Sequence, residues 1–317
     1  MEKTIFNKIR EFNKNATDVS ISLYTRNVMS VAKLLGVKPE DVKPSIFKNI
    51  KDVMKVLEHQ SIYTQQNKIV AVYLYLQSCG YDKDVIIEYN DKVFMLAGKG
   101  RAKSSSMQWN EKEKDKVVSM DDLMIMLSRM RDDLPKDMDT FKSIEKMMKY
   151  LCIKIYTGYP MRNDMADMQI YSNTEFDNIK EDKDVNYMVI NPKNNTCKII
   201  LNNFKTKKEG VIDFAIEDKD LIKMIYDYYL ACKKYYENNE RDYNHYFLFK
   251  RDFLKMSRNV LTKFLISIFE NEIGKKISTT ILRKITTSSL IDTAKFKKLA
   301  YIQGHSVGTA LNTYSKF

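Results

Sequence analysis

The spacing of hydrophobic positions in the first hundred residues predicts helices. From Ile21 to Leu35, apolar side chains recur at intervals of three and four, which places them on one face of a helix. Gly36 follows this helix and marks its end. The same spacing predicts three further helices, over residues 46–58, 64–79 and 85–96, and Gly80 follows the second of these. We therefore expect a small four-helix bundle.

The pattern breaks at residues 98–106, which are small, polar or charged, as is typical of a linker. A chain of 317 residues also exceeds the usual size of one domain. We predict a helical domain over residues 1–100, a linker over 101–118 and a second domain over 119–317. The sole tryptophan, Trp109, lies in this linker, and we expect it to dock against the protein.

The second domain is predicted to combine helices with a small sheet. Ser119 and Asp122 have the spacing of a capping box, so a helix begins there, and a second follows over residues 141–156. After Arg162 the apolar period shortens, and polar turns separate three predicted strands, over residues 187–190, 198–202 and 210–216.

Helical patterns then return. They cover residues 218–236, 257–273, 278–292 and 294–302, and a short last helix carries Tyr314. The expected fold class is therefore mainly α with a small antiparallel β-sheet, an α+β fold.

The charge of the chain favours a polyanionic partner. The net charge is +12, as expected of a protein that neutralises phosphates. From Lys275 to the end there are eight lysines and arginines against one acidic residue, Asp292. An AT-biased genome is the alternative source of the lysines, because Asn, Ile and Tyr are also abundant.

Composition also excludes several classes of protein. The four cysteines are far apart and only three histidines occur, so we predict neither a zinc site nor disulfides. The apolar stretches are too short or too interrupted to cross a bilayer, and no signal peptide is evident. We expect an intracellular protein, in the cytoplasm or nucleus of a host, with no membrane partner.

Five residues with the chemistry to act on a phosphodiester follow one another in the second domain: Arg162, Lys205, Arg283, His305 and Tyr314. Cleavage without a metal needs a nucleophile, cations for the phosphate oxygens and an acid for the leaving oxygen. A tyrosine whose anion is favoured by nearby cations is the nucleophile. The guanidinium groups fit the phosphate oxygens, and the histidine donates a hydrogen bond to the phosphate. Lys205 is the candidate acid for the 5′ oxygen, with Lys207 and Lys208 as its closest rivals.

These residues and their neighbours resemble the tyrosine recombinase family, which includes phage-type integrases. The matching segments are Thr157-Gly158 before Arg162, Lys205-Thr206 in a hairpin, Leu282-Arg283-Lys284 in a helix, and Gln303-Gly304-His305 with Tyr314 nine residues after the histidine. The resemblance covers the second domain and, more weakly, the first hundred residues, as a core-binding domain that clamps DNA. It implies a homotetramer that cleaves and rejoins double-stranded DNA through a 3′-phosphotyrosyl link, without metal, ATP or other cofactor.

Two positions depart from the family pattern. Thr280 stands where the family has a histidine, three residues before the second arginine. The family's acidic residue, three positions after the first arginine, is replaced by Met165, although Asp164 is adjacent and is a candidate to orient Arg283 or Lys205.

Two other functions stay open at this point. A type IB topoisomerase resembles the same fold, shares the chemistry and acts as a monomer. A DNA-binding protein with a degenerate site would account for Thr280. The composition further suggests a mobile element or a DNA virus as the source.

Overall fold

A computed structural model describes residues 2–104, 109–204, 210–289 and 293–304 of the chain. The chain divides into two compact units, Met1–Ser105 and Ser106–Phe317. None of the helices in these described ranges is long and apolar enough to cross a membrane.

The first unit is helical. Its α-helices are α1 Glu2–Phe12, α2 Asp18–Leu34, α3 Ile50–Leu57, α4 Ile62–Ser78 and α5 Lys83–Ser104. Helix α1, which the sequence patterns did not indicate, buries Ile5 and Ile9 in the core of the unit. Helices α2 and α4 begin where the Thr17 and Ser61 hydroxyls accept hydrogen bonds from backbone amides of the first turn.

Helix α5 continues past residue 98 and into the first four residues of the predicted linker, as far as Ser104, so the expectation of a break at residue 98 was wrong. The reason lies at Gly100, where an added Cβ would come within 3.3 Å of the Tyr63 ring on α4. The Tyr63 hydroxyl donates a hydrogen bond to the Gly100 carbonyl at 3.0 Å. Glycine therefore serves close helix packing here and does not end the helix.

The second unit has eight helices among its described residues: α6 Glu111–Lys114, α7 Met120–Asp132, α8 Phe141–Gly158, α9 Asn173–Phe176, α10 Lys219–Asn238, α11 Arg258–Ile273, α12 Thr279–Ser288 and α13 Thr293–Ile302. Its strands are β1 Gln169–Ser172, β2 Tyr187–Asn191, β3 Thr196–Leu201 and β4 Ile212–Ile216. This confirms the α+β fold class. The predicted last helix with Tyr314 lies outside the described residues.

The sheet differs from the prediction of three antiparallel strands. Strands β2, β3 and β4 pair antiparallel, with Met188 opposite Ile199 and Ile199 opposite Phe214. A fourth strand, β1, pairs parallel to β2, with Ile170 opposite Met188, so the sheet is mixed. Strand β1 is only four residues long, too short for its alternation to be recognised in the sequence.

Helix α8 lies at the centre of the second unit. Most of its side chains are buried, including Tyr156 near its C-terminal end, so both its ends are held by the core. Helix α7 begins with the predicted capping box between Ser119 and Asp122. Trp109 packs against the same core, and the Lys284 ammonium lies 6.0 Å from the centre of its ring. Trp109 therefore has the docking role expected of it.

A charged cluster ties the sheet to α10. The Glu175 carboxylate on α9 accepts hydrogen bonds from the hydroxyl groups of Ser172 and Tyr229 and from the Lys233 ammonium. Burial alone would raise the pKa of this carboxyl, but the hydrogen bonds from Lys233, Tyr229 and Ser172 outweigh it and lower the pKa to about 2, from an ordinary 4.5.

We expect Glu175→Gln to destabilise the protein by about 1 to 2 kcal/mol at neutral pH, because the ionised carboxylate is the form that accepts these bonds. Since the folded pKa is depressed, this stabilisation is present above pH 4.5 and is lost as the pH falls towards about 2. Urea denaturation from pH 7 down to pH 3 measures it. Glu237→Gln, at an exposed position of α10, is the matched control. A deficit that did not shrink in acid would contradict the assignment.

Candidate active site

Arg162 lies just beyond the C-terminal end of α8, where Gly158 and Pro160 end the helix. Its carbonyl accepts a hydrogen bond of 2.7 Å from the hydroxyl of the buried Tyr156. The backbone that carries this arginine is therefore fixed against α8, and the side chain is half-buried.

The two residues after Arg162 are bonded to the first turns of α11. The Asn163 side-chain amide donates to the Arg258 carbonyl at 3.1 Å and to the Thr262 hydroxyl at 2.7 Å. The Asp164 carboxylate forms an ion pair of 3.2 Å with the Arg258 guanidinium. A short 3-10 turn, Asn163–Met165, thus connects the end of α8 to the start of α11.

Asp164 is the electrostatic centre of the site. It is only 3% exposed, and burial raises its pKa, while the guanidinium groups of Arg258, Arg162 and Arg283 act in the opposite direction. The two arginines predicted from the sequence therefore interact with the same buried carboxylate. The ion pair of Asp164 is with Arg258, a partner that the sequence did not indicate.

Arg283 lies on α12 and is 4% exposed, which for a guanidinium group requires nearby compensating charge. Its carbonyl accepts a 2.6 Å hydrogen bond from the Thr287 hydroxyl one turn later. Thr280, at the position of the family's histidine, lies in the first turn of the same helix and is exposed.

Lys205 lies outside the described residues, in the stretch of chain between β3 and β4. The chain that leads to it is well anchored at Asn203. The backbone N–H of Asn203 donates to the Asn186 side chain at 2.8 Å, and its carbonyl accepts from Asn186 at 3.1 Å and from Arg258 at 2.8 Å. The Asn186 amide also donates to the Asp164 carbonyl at 2.9 Å. The chain two residues before Lys205 is therefore bonded to the turn that follows Arg162.

His305 and Tyr314 also lie outside the described residues. The last described residues before the histidine lie beside α12. Gln303 is 2% exposed and its amide donates to the Thr287 hydroxyl at 3.1 Å. Gly304 follows with a φ of 61°, in the left-handed region that favours glycine. The residue directly before His305 is thus close to the helix that carries Arg283.

Two contributors to this site, Arg258 and Asn186, were missed in the sequence. A signal existed for Arg258, because it is the first residue of α11, where the helix dipole disfavours a cation unless a specific anion compensates it. Asn186 directly precedes a strand and is 2% exposed, and only its three-dimensional partners explain it.

Within the described ranges, no group of three or more His, Cys, Asp or Glu side chains is arranged to hold a metal ion. Among the described residues named above for the site, the polar side chains are cationic or neutral apart from Asp164 and its neighbour Asp167. Such an arrangement is suited to an anion.

No protein-family model and no curated protein matches the sequence. Among solved structures, the chain matches the crystal structure of XerA recombinase with a TM-score of 0.41 and 13% identity, over 100% of this chain and 94% of that chain. Values this low do not establish a shared function, so function has to be inferred from the residues themselves.

We expect Asn186→Ala to lower the free energy of unfolding by about 2 to 4 kcal/mol, because it leaves the buried Asp164 carbonyl and the Asn203 backbone without this partner. Urea denaturation followed by circular dichroism measures the change. Asn194→Ala, at an exposed turn position between β2 and β3, is the matched control and should change stability by less than about 0.5 kcal/mol. Equal losses of stability in the two variants would contradict the conclusion that Asn186 joins the turn after Arg162 to the chain at Asn203.

Proposed function

We propose that this protein is a tyrosine recombinase that cleaves and rejoins double-stranded DNA through a 3′-phosphotyrosyl intermediate. The proposal rests on Arg162 and Arg283, which are far apart in the sequence and whose positive charges both act to lower the pKa of the same buried carboxyl, that of Asp164. Two positions before Lys205, Asn203 is bonded to Arg258, and two positions before His305, Gln303 is bonded to Thr287 on the helix that carries Arg283.

The proposed chemistry uses each residue once. The phenol of Tyr314 loses its proton to solvent, because nearby cations favour the anion, and the phenolate oxygen attacks the scissile phosphorus. A new P–O bond forms and the bond from phosphorus to the 5′ oxygen breaks. Arg162 and Arg283 stabilise the negative charge on the nonbridging oxygens, and His305 donates a hydrogen bond to the same phosphate. Lys205 gives its proton to the departing 5′ oxygen. Rejoining is the reverse, with a 5′ hydroxyl as the attacking group, so the covalent link conserves the energy of the phosphodiester.

The charge of the chain supports DNA as the partner, because +12 favours binding to a polyanion. On the model of the family, the helical first unit acts as the clamp on the duplex, residues 119–317 carry the catalysis, and four copies assemble on DNA. A monomer that relaxes supercoiled DNA would instead be a type IB topoisomerase. A protein that binds DNA without forming a covalent link would be a degenerate member of the family. The threonine at position 280, where the family has a histidine, is the observation that favours this alternative.

The first test is covalent capture. The protein is incubated without metal with supercoiled or nicked duplex from its own genome, and adducts are resolved on a denaturing gel. We expect an adduct with the wild type and none with Tyr314→Phe, because the phenyl ring lacks the attacking oxygen. Tyr301→Phe, which changes an exposed tyrosine of α13, is the matched control and should keep the adduct. Salt-sensitive binding with no adduct on any duplex would contradict the proposal.

A second test addresses the acid. On a duplex whose scissile 5′ oxygen is replaced by sulfur, the leaving thiolate needs no proton, so Lys205→Ala should regain most of the cleavage rate that it loses on the normal duplex. We expect the loss on the normal duplex to be on the order of a hundredfold or more. Lys207→Ala is the control and should cleave both duplexes at near the wild-type rate. If Lys207→Ala instead lost the cleavage rate on the normal duplex and regained it on the sulfur-substituted duplex, Lys207 would be the acid.

A further inference from the structure

A guanidinium group outside the five predicted residues joins two segments of the site. The Nη2 atom of Arg258 lies 3.2 Å from the Asp164 carboxylate and donates to the Asn203 carbonyl at 2.8 Å. The Arg258 carbonyl also accepts from the Asn163 side chain at 3.1 Å. Arg258 therefore bonds both residues that follow Arg162, one through its backbone and the other through its side chain.

The position of Arg258 is electrostatically unfavourable without these partners. It is the first residue of α11, where the positive end of the helix dipole repels a cation. Asp164 offsets that cost, and Arg258 in turn compensates a carboxylate whose side chain is 5% exposed. Because the two groups depend on each other, loss of either one removes one anchor of the turn that begins after Arg162.

The backbone of Arg162 has two kinds of anchor. On the α8 side, its carbonyl is bonded by Tyr156. On the α11 side, the following turn is bonded through Asn163 and through the pair of Asp164 with Arg258. A guanidinium group that has to meet a phosphate depends on such anchors, because small displacements of a charge-stabilising group cost large factors in rate.

We propose that Arg258 is a positioning residue that, through Asp164, holds Arg162 in place for the scissile phosphate. This inference rests on the proposed function. Both contacts are made by the Nη2 atom, so Arg258 acts through the reach and the fixed plane of its guanidinium group, which the flexible stem and compact ammonium group of lysine do not reproduce.

The experiment compares single-turnover adduct formation on two duplexes, one normal and one with a methylphosphonate at the scissile position. The methyl group removes the negative charge that Arg162 stabilises, so a defect in that stabilisation has little effect on this duplex. The variants are Arg258→Lys, Asp164→Asn and their combination, with Arg162→Ala as the reference. Arg251→Lys, an exposed arginine of the same unit, is the matched control. Thermal unfolding of each variant checks that it is folded.

We expect Arg258→Lys and Asp164→Asn to slow adduct formation on the normal duplex by roughly 10- to 100-fold, with little change in DNA affinity at equal salt. On the methylphosphonate duplex the loss should be below about threefold, as for Arg162→Ala. The double variant should be no slower than the slower single variant, since both act through one pair.

Equal losses on both duplexes, or multiplied losses in the double variant, would overturn the role of Arg258 and leave the proposed function intact. Wild-type rates for Arg258→Lys would do the same. A wild-type protein that forms no adduct on the normal duplex would reject the proposed function, and this role with it. Asp164→Asn keeps the test decisive if Arg258→Lys does not fold.

Discussion

The burial of one carboxylate among three guanidinium groups is the constraint on which the second unit depends. Guanidinium groups held close together repel one another, and nearby anions reduce that repulsion. Asp164 lies within the influence of Arg162, Arg258 and Arg283 and is 3% exposed. Three separate segments, the end of α8, the start of α11 and α12, must therefore converge on one residue for the carboxylate to be tolerated in the interior.

Asn186 extends this constraint to the sheet. Its side chain bonds the Asp164 carbonyl and both backbone groups of Asn203, and its own carbonyl accepts from the backbone of Gln169 at 2.9 Å. Gln169 begins β1, and its Cα partner across the sheet, Tyr187, begins β2. The residue that fixes the turn after Arg162 thus also starts the parallel pairing of the two strands. The mixed sheet and the site share one polar junction, and a buried junction of this kind is stable only when every member has its partner.

Much of the helical content could be predicted because it is encoded locally. The spacing from Ile21 to Leu35 and the capping box at Ser119 depend only on neighbours in the sequence, and the structure has helices at both. The break expected from residue 98 was wrong because Gly100 serves a contact with Tyr63, which no local pattern reveals. Strand β1 was not predicted for the same reason. Its pairing partner comes eighteen residues later, with Gln169 opposite Tyr187.

The residues of the candidate site also differ in whether they could be recognised from the sequence alone. The five candidate residues could be proposed from the sequence because their chemistry and order are visible there, while the partners of Arg258 and Asn186 come only from the fold. Asp164 was noticed, but its ion pair is with Arg258, which lies on another helix ninety-four positions further along the chain. A pairing over such a distance in sequence has no local signature.

The anchors of the site lie on backbone groups or on residues one or two positions from the predicted reactive side chains. The Gln303 amide donates to the Thr287 hydroxyl, which donates to the Arg283 carbonyl, so a chain of hydrogen bonds runs from α12 to the residue two before His305. Each bond in such a chain polarises the next, which strengthens both. Because these bonds engage the Arg283 backbone, they fix α12 at the residue that carries the guanidinium group. The protein therefore holds Arg283 in place through its backbone as well as its side chain, and a fixed position is the condition under which a charged group can stabilise charge that develops during a reaction.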